Sequence, residues 1–147
     1  MTDATKSTLK DIGLLVMRVG FGLMFVLIHG WPKMSGGVSE WASKGAAMGH
    51  LGVHFWPAFW GFMAAFSELV GGICIVLGLF FRPMAALLAF TMFVAAFMHF
   101  KTGGGLDAAS HAIECFAVAL GFVWTGPGRF SVGNLLFGGK ASKKKSA

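Results

Sequence analysis

Four apolar stretches, at about residues 12 to 30, 57 to 80, 83 to 100 and 108 to 125, fill most of the 147 positions. Each falls near the roughly 17 to 25 residues that a helix needs to cross a bilayer. A spanning segment must satisfy its backbone N–H and C=O groups without water, so each stretch is expected to be helical. With 56% hydrophobic and only 12% charged residues, the chain is too apolar for the surface of a water-soluble domain. The expected fold is all-α, an integral membrane antiparallel four-helix bundle. Lys6 and Lys10 precede the first stretch as in a secretory signal, but no small-x-small cleavage site follows and Arg18 interrupts it. It is read as a retained helix.

The basic residues set the orientation. Lys6, Lys10, Arg82, Arg129, Lys140, Lys143, Lys144 and Lys145 fall on one side of the predicted spans, against Lys33, Lys44 and Lys101 on the other. The positive-inside rule then places both termini in the cytoplasm. The net charge of +6 is concentrated in a terminal KASKKKSA segment beside a membrane helix, which fits attraction to lipid headgroups and argues against a nucleic-acid partner. Residues 1–137 are expected to form a single transmembrane domain, opening on a polar lead-in at 1–10. Residues 138–147 are expected to form a basic flexible tail.

The longest connection, about 31 to 56, is predicted outside, with Val38 to Met48 a short interfacial helix. Arg82 and Pro83 mark an inner turn, and the glycine run 103–105 an outer one. Cys74 and Cys115 are predicted some 15 Å apart in depth, too far to bridge. Small residues crowd the second and third helices, among them Gly61, Gly71, Gly72, Ala85 and Ala89, and permit close helix approach in lipid.

Few ionisable residues interrupt the spans. Glu68 is the only charged residue between Phe55 and Phe81, about 16 Å deep in its helix. A carboxylate there is costly and marks a functional position. His29 and His99 end helices at the predicted outer face, His111 opens the fourth helix, and Glu114 lies on the same helix face as His111. With Glu68 they outline a polar cleft opening outward, in which imidazoles and carboxylates relay protons. His50 and His54 have a spacing that suits a metal on a helix, but read as solvated loop residues, and no metal site is predicted. For Arg18 two readings stand: snorkelling to the headgroups, or an ion pair with Glu68.

These residues carry a pattern: Arg18 and Gly20; His29-Gly30-Trp31-Pro32-Lys33; Glu68-Leu69-Val70-Gly71-Gly72 leading to Leu77-Gly78-Leu79 and Arg82; His99; and Gly126-Pro127-Gly128-Arg129-Phe130-Ser131. Over about residues 12 to 137 the chain resembles the DoxX family of small four-helix bacterial membrane proteins. It departs from the family where an aspartate commonly follows the last motif, since Gly133 and Asn134 stand there. The resemblance implies a multi-pass protein of the bacterial cytoplasmic (inner) membrane, with Arg18, His29, Lys33, Glu68 and Arg82 as motif residues. It also implies membrane oxidoreductase assemblies, including one that couples thiosulfate oxidation to quinone.

The expected function is therefore a membrane subunit of a redox complex, binding a quinone or a small anionic reductant. Glu68 and Glu114 would transfer protons, while Arg18, His29, Lys33, His99 and His111 would bind the substrate. Quinone is the cofactor this reading admits, although no recognisable motif encodes one. The expected partners are the lipid bilayer and other subunits or further copies of the chain. The alternative is a non-catalytic anchor or assembly subunit for a partner enzyme.

Overall fold

The computed structural model describes residues 2–136, and the tail predicted at 138–147 lies outside them. Helix α1, Asp3–Met24, starts where the Thr2 hydroxyl accepts a hydrogen bond from the Thr5 amide at 3.3 Å, with Asp3 in the first turn where the helix dipole favours an anion. The polar lead-in is thus helical. Helix α1 runs on into a π-helical turn, Phe25–Gly30, and then into α2, Trp31–Ser35, giving a continuous 33-residue helix. The wide turn has a local cause. Pro32 cannot donate to the carbonyl four residues back, and the preceding Trp31 N–H bonds to Val26, five residues back.

The segment predicted as an outer loop is also mostly helical. After a turn at Gly36 and Gly37, where Gly37 has φ +75°, come α3, Gly37–Gly45, and a 3₁₀ turn, Ala46–Leu51. Helix α3 packs against the following helix α4, Pro57–Leu77, instead of lying apart as an interfacial helix. A Cβ on Gly61 would strike the Trp41 carbonyl, and one on Gly45 the Pro57 carbonyl. Further down, Gly30 abuts the backbone of Glu68 and Leu69, and Gly22 abuts Gly72 and Val76. The chain from α1 to α3 therefore follows α4 antiparallel along nearly its whole length, which only residues without side chains permit.

Helix α4 ends on Gly78 at φ +67°, with the Leu79 N–H returning to the Cys74 carbonyl at 2.9 Å in the manner of a Schellman cap. Helix α5, Phe81–Lys101, follows a tight turn, so the reversal predicted at Arg82 and Pro83 falls slightly earlier, at Gly78 to Phe80. Helix α6, Gly105–Thr125, returns antiparallel to α5. Phe25, Ile75, Leu88, Met92, Ala119 and Phe122 are among the residues of the shared core, while Leu27, Ile28, Phe90, Phe93 and Trp124 remain exposed for contact with lipid. The described residues contain no strand and no disulfide; Cys74 and Cys115 are both free. Four helices are long and apolar enough to cross a membrane. The fold is a multi-pass helical bundle in contact with the bilayer, as its composition requires.

Candidate ligand cavity and buried ion pair

Glu68 is 1% exposed at the middle of α4. Its partner is Lys33, whose Nζ donates to Oε1 across 2.6 Å from α2. The break in the first membrane helix makes this contact. Because α2 continues α1 alongside α4, Lys33 projects at the depth of Glu68 instead of at the mouth of an outer loop. Trp41 secures the break, its indole N–H donating to the Lys33 carbonyl at 2.9 Å. The second carboxylate oxygen, Oε2, is buried and has no partner among the described residues. A buried ion pair is stable only when its remaining polar atoms are also satisfied, so this oxygen is a vacant acceptor in the site.

The pair faces a cavity of about 630 Å³. Its walls are largely apolar, with Phe25, Phe59, Met63, Phe90, Met92 and Met98 among them. The polar groups are few: Lys33, Lys44, Glu68, Thr91 and three histidines, His29, His99 and His111. His29 and His111 stack with ring centroids 5.4 Å apart, and His29 also packs on Phe25 at 5.3 Å. The π turn carries His29, Gly30 and the close approach to α4 together. Such single wide turns recur at functional sites because they re-aim the side chains that follow. Thr91 lines the cavity, and its hydroxyl lies 2.7 Å from that of Ser67; one of the two donates across this contact, which leaves the other free to donate to a carbonyl of its own helix.

Four of the predicted site residues, His29, Lys33, His99 and His111, therefore meet Glu68 in one cavity. Two do not. Glu114 is exposed on the outer side of α6, because the α6 face that carries Ala112, Cys115 and Ala119 is the one turned inward. Arg18 is 2% exposed, so it does not snorkel, and it does not reach Glu68 either. Its Nη2 donates to the Phe130 carbonyl near the end of the bundle that carries the N-terminus. His50 and His54 are exposed in the connection, and the described residues hold no cluster of His, Cys, Asp and Glu fit for a metal. Lys44 and Thr91 were not anticipated as lining residues. A signal for the Glu68 partner was present: Lys33 follows His29 by four, one helix face if the helix runs through Pro32.

The chain is thus a small polytopic four-helix membrane protein with a Lys33–Glu68 ion pair beside a histidine-lined, largely apolar cavity. Comparison with protein families matches residues 13–101 to DoxX, and the chain belongs to that family. The match takes in Arg18, His29, Lys33, Glu68, Arg82 and His99. Neither a curated protein nor a solved structure matches the chain.

Proposed function

We propose that the protein is a membrane subunit of a redox complex, and that the cavity holds the head of a quinone. The vacant Oε2 of Glu68, fixed by Lys33 at the inner end of an apolar chamber, is the observation that carries the reading. Cavities of about 300–1,000 Å³ with mostly apolar walls and a few convergent polar groups suit lipophilic small molecules. The quinone ring would rest against the Phe and Met walls; in the quinol form a hydroxyl would donate to Oε2, and in the quinone form the carbonyls would accept from His29, His99 or Lys33. Reduction of a quinone consumes protons, and Glu68, His29 and His111, which line the cavity, would exchange them. The electrons come from a partner, since no nucleotide loop or haem-attachment motif is present in the sequence. The positive-inside pattern favours a bacterial inner membrane with both termini in the cytoplasm.

Solvent extraction of the purified protein, with the quinone content measured per chain, tests this. Quinone is expected in the wild type and depleted in Glu68→Gln; equal content in both would remove Glu68 from the site. A second reading, an assembly subunit, is favoured by Glu114. A carboxylate on the lipid side of a spanning helix is costly, and a covering subunit would relieve that cost. On that reading Glu114→Gln releases a co-purifying subunit and leaves the quinone content unchanged.

A further inference from the structure

Arg18 presents a second unsatisfied group, far from the histidine cavity. Its side chain is 2% exposed, one nitrogen is bonded to the Phe130 carbonyl, and Nε and Nη1 have no partner among the described residues. A guanidinium cannot shed its charge, and leaving it buried and unpaired in a membrane protein is costly. The fold nevertheless builds this position. Gly78 leaves room for the guanidinium, since a Cβ there would collide with Nη1 and Ser131, and Gly133 abuts the Gly78 carbonyl. The turn through Gly126 and Gly128 brings Arg129, Phe130 and Ser131 back beneath α1 and α4. Asn134 holds this return segment, its Nδ2 donating to the Gly128 carbonyl at 2.8 Å and its backbone N–H to the Ser131 hydroxyl at 3.2 Å.

Beside Arg18 lies a cavity of about 340 Å³, walled by Arg129, Ser131 and the apolar side chains of Val76, Leu77 and Leu135. No carboxylate of the described residues lines it. Asp11 is the acidic group nearby, and it is engaged with Arg129, accepting from its backbone N–H at 3.1 Å with the side chains 3.8 Å apart. The Ser131 oxygen already accepts from Asn134, which leaves its O–H free to donate. The cavity thus offers donors on one wall and hydrocarbon on the other.

We infer that Arg18, with Arg129 and Ser131, forms an anion site for a phosphate group, and that its occupant is the phosphodiester head of an anionic lipid. Two free guanidinium N–H directions and a hydroxyl match the acceptor-only oxygens of a phosphate. The apolar wall favours a lipid over a free anion, because an acyl chain would cover Val76, Leu77 and the exposed Leu135.

The test uses the full chain, delipidated in detergent and examined by native mass spectrometry and thermal unfolding. The probes are phosphatidylglycerol, a diacylglycerol of the same acyl chains, and inorganic phosphate. Phosphatidylglycerol is expected to be retained as a discrete adduct that raises the unfolding temperature, and the diacylglycerol is not. Arg18→Gln is expected to weaken retention about tenfold or more, as loss of a charged donor does, and Arg18→Lys to restore part of it. Arg82→Gln, at an exposed arginine outside the cavity, should retain lipid as the wild type does. Stabilisation by inorganic phosphate alone would keep the anion site and overturn the lipid as occupant. Equal retention of the diacylglycerol, or equal losses in Arg82→Gln and Arg18→Gln, would overturn the site. Should Arg18→Gln fail to fold, Arg129→Gln and Ser131→Ala decide, since unchanged retention in both also overturns it.

Discussion

The ion pair between Lys33 and Glu68 predicts an asymmetry between its two single substitutions. Lys33→Met leaves Glu68 at 1% exposure with no counter-charge for Oε1 and none for the already vacant Oε2. Removing one member of a buried pair costs about 3–5 kcal/mol, because the survivor keeps its desolvation penalty. Glu68→Gln removes the charge but keeps an acceptor for the ammonium, and Lys33 is not trapped: its side chain is 27% exposed and can turn toward the cavity. The cost there is about 1 kcal/mol, the net value of an ordinary hydrogen bond. The double variant Lys33→Met/Glu68→Gln lacks any buried charge and should lose about 2 kcal/mol, less than the two singles together. SDS titration in mixed micelles, followed by circular dichroism, measures all four proteins. If Lys33→Met lies within about 1 kcal/mol of the wild type, Glu68 is not held as a carboxylate by Lys33 and the account of the pair is wrong.

The packing of the bundle gives three more tests by the same titration. Gly61→Ala should destabilise by about 1–3 kcal/mol, since its methyl would enter the Trp41 carbonyl and force α3 from α4. Gly121→Ala, on the open side of α6 with nothing within 4 Å, should be neutral or stabilise by up to about 1 kcal/mol; a large loss would show that this face is covered. Ser67→Ala removes the contact with Thr91 between α4 and α5, and should cost about 0.6 kcal/mol, the average for interhelical hydrogen bonds in membrane proteins. A cost above about 2 kcal/mol would mean that the hydroxyl pair orders more than itself.

The helices were legible because lipid leaves few alternatives to a helix, and the apolar runs mark α4, α5 and α6 within a few residues, whereas the first helix begins at Asp3 and ends at Ser35, well outside its run at both ends. Glu68 was legible for the same reason: one carboxylate in such a run has to be held by something. Its partner was not. Gly30, Trp31 and Pro32 read as the end of a helix, which puts Lys33 outside, whereas the chain absorbs Pro32 in a π turn and continues. The glycines that record the continuation, Gly45 and Gly61, are visible in sequence only as small residues; which carbonyl each one faces is a tertiary fact. Glu114 was misplaced because residues three apart on a helix still diverge by about 60° around its axis, which lets His111 border the cavity while Glu114 turns outward. Arg18 meets a segment 112 residues later, a contact that local periodicity does not encode.

The same π turn explains why only one oxygen of Glu68 meets a protein donor. Had α1 ended at Gly30, Glu68 would stand in hydrocarbon with no counter-charge, the costly state that Lys33→Met would recreate. The π turn and α2 instead bring one ammonium to one oxygen, which is enough to hold the carboxylate in place and leaves Oε2 directed at no protein group. A fully satisfied pair would have served helix packing alone. On the proposed reading, a hydrogen-bonding ligand would satisfy this oxygen in a chamber that already gathers three imidazoles, and the quinone content of Glu68→Gln is what separates that reading from a purely structural ion pair.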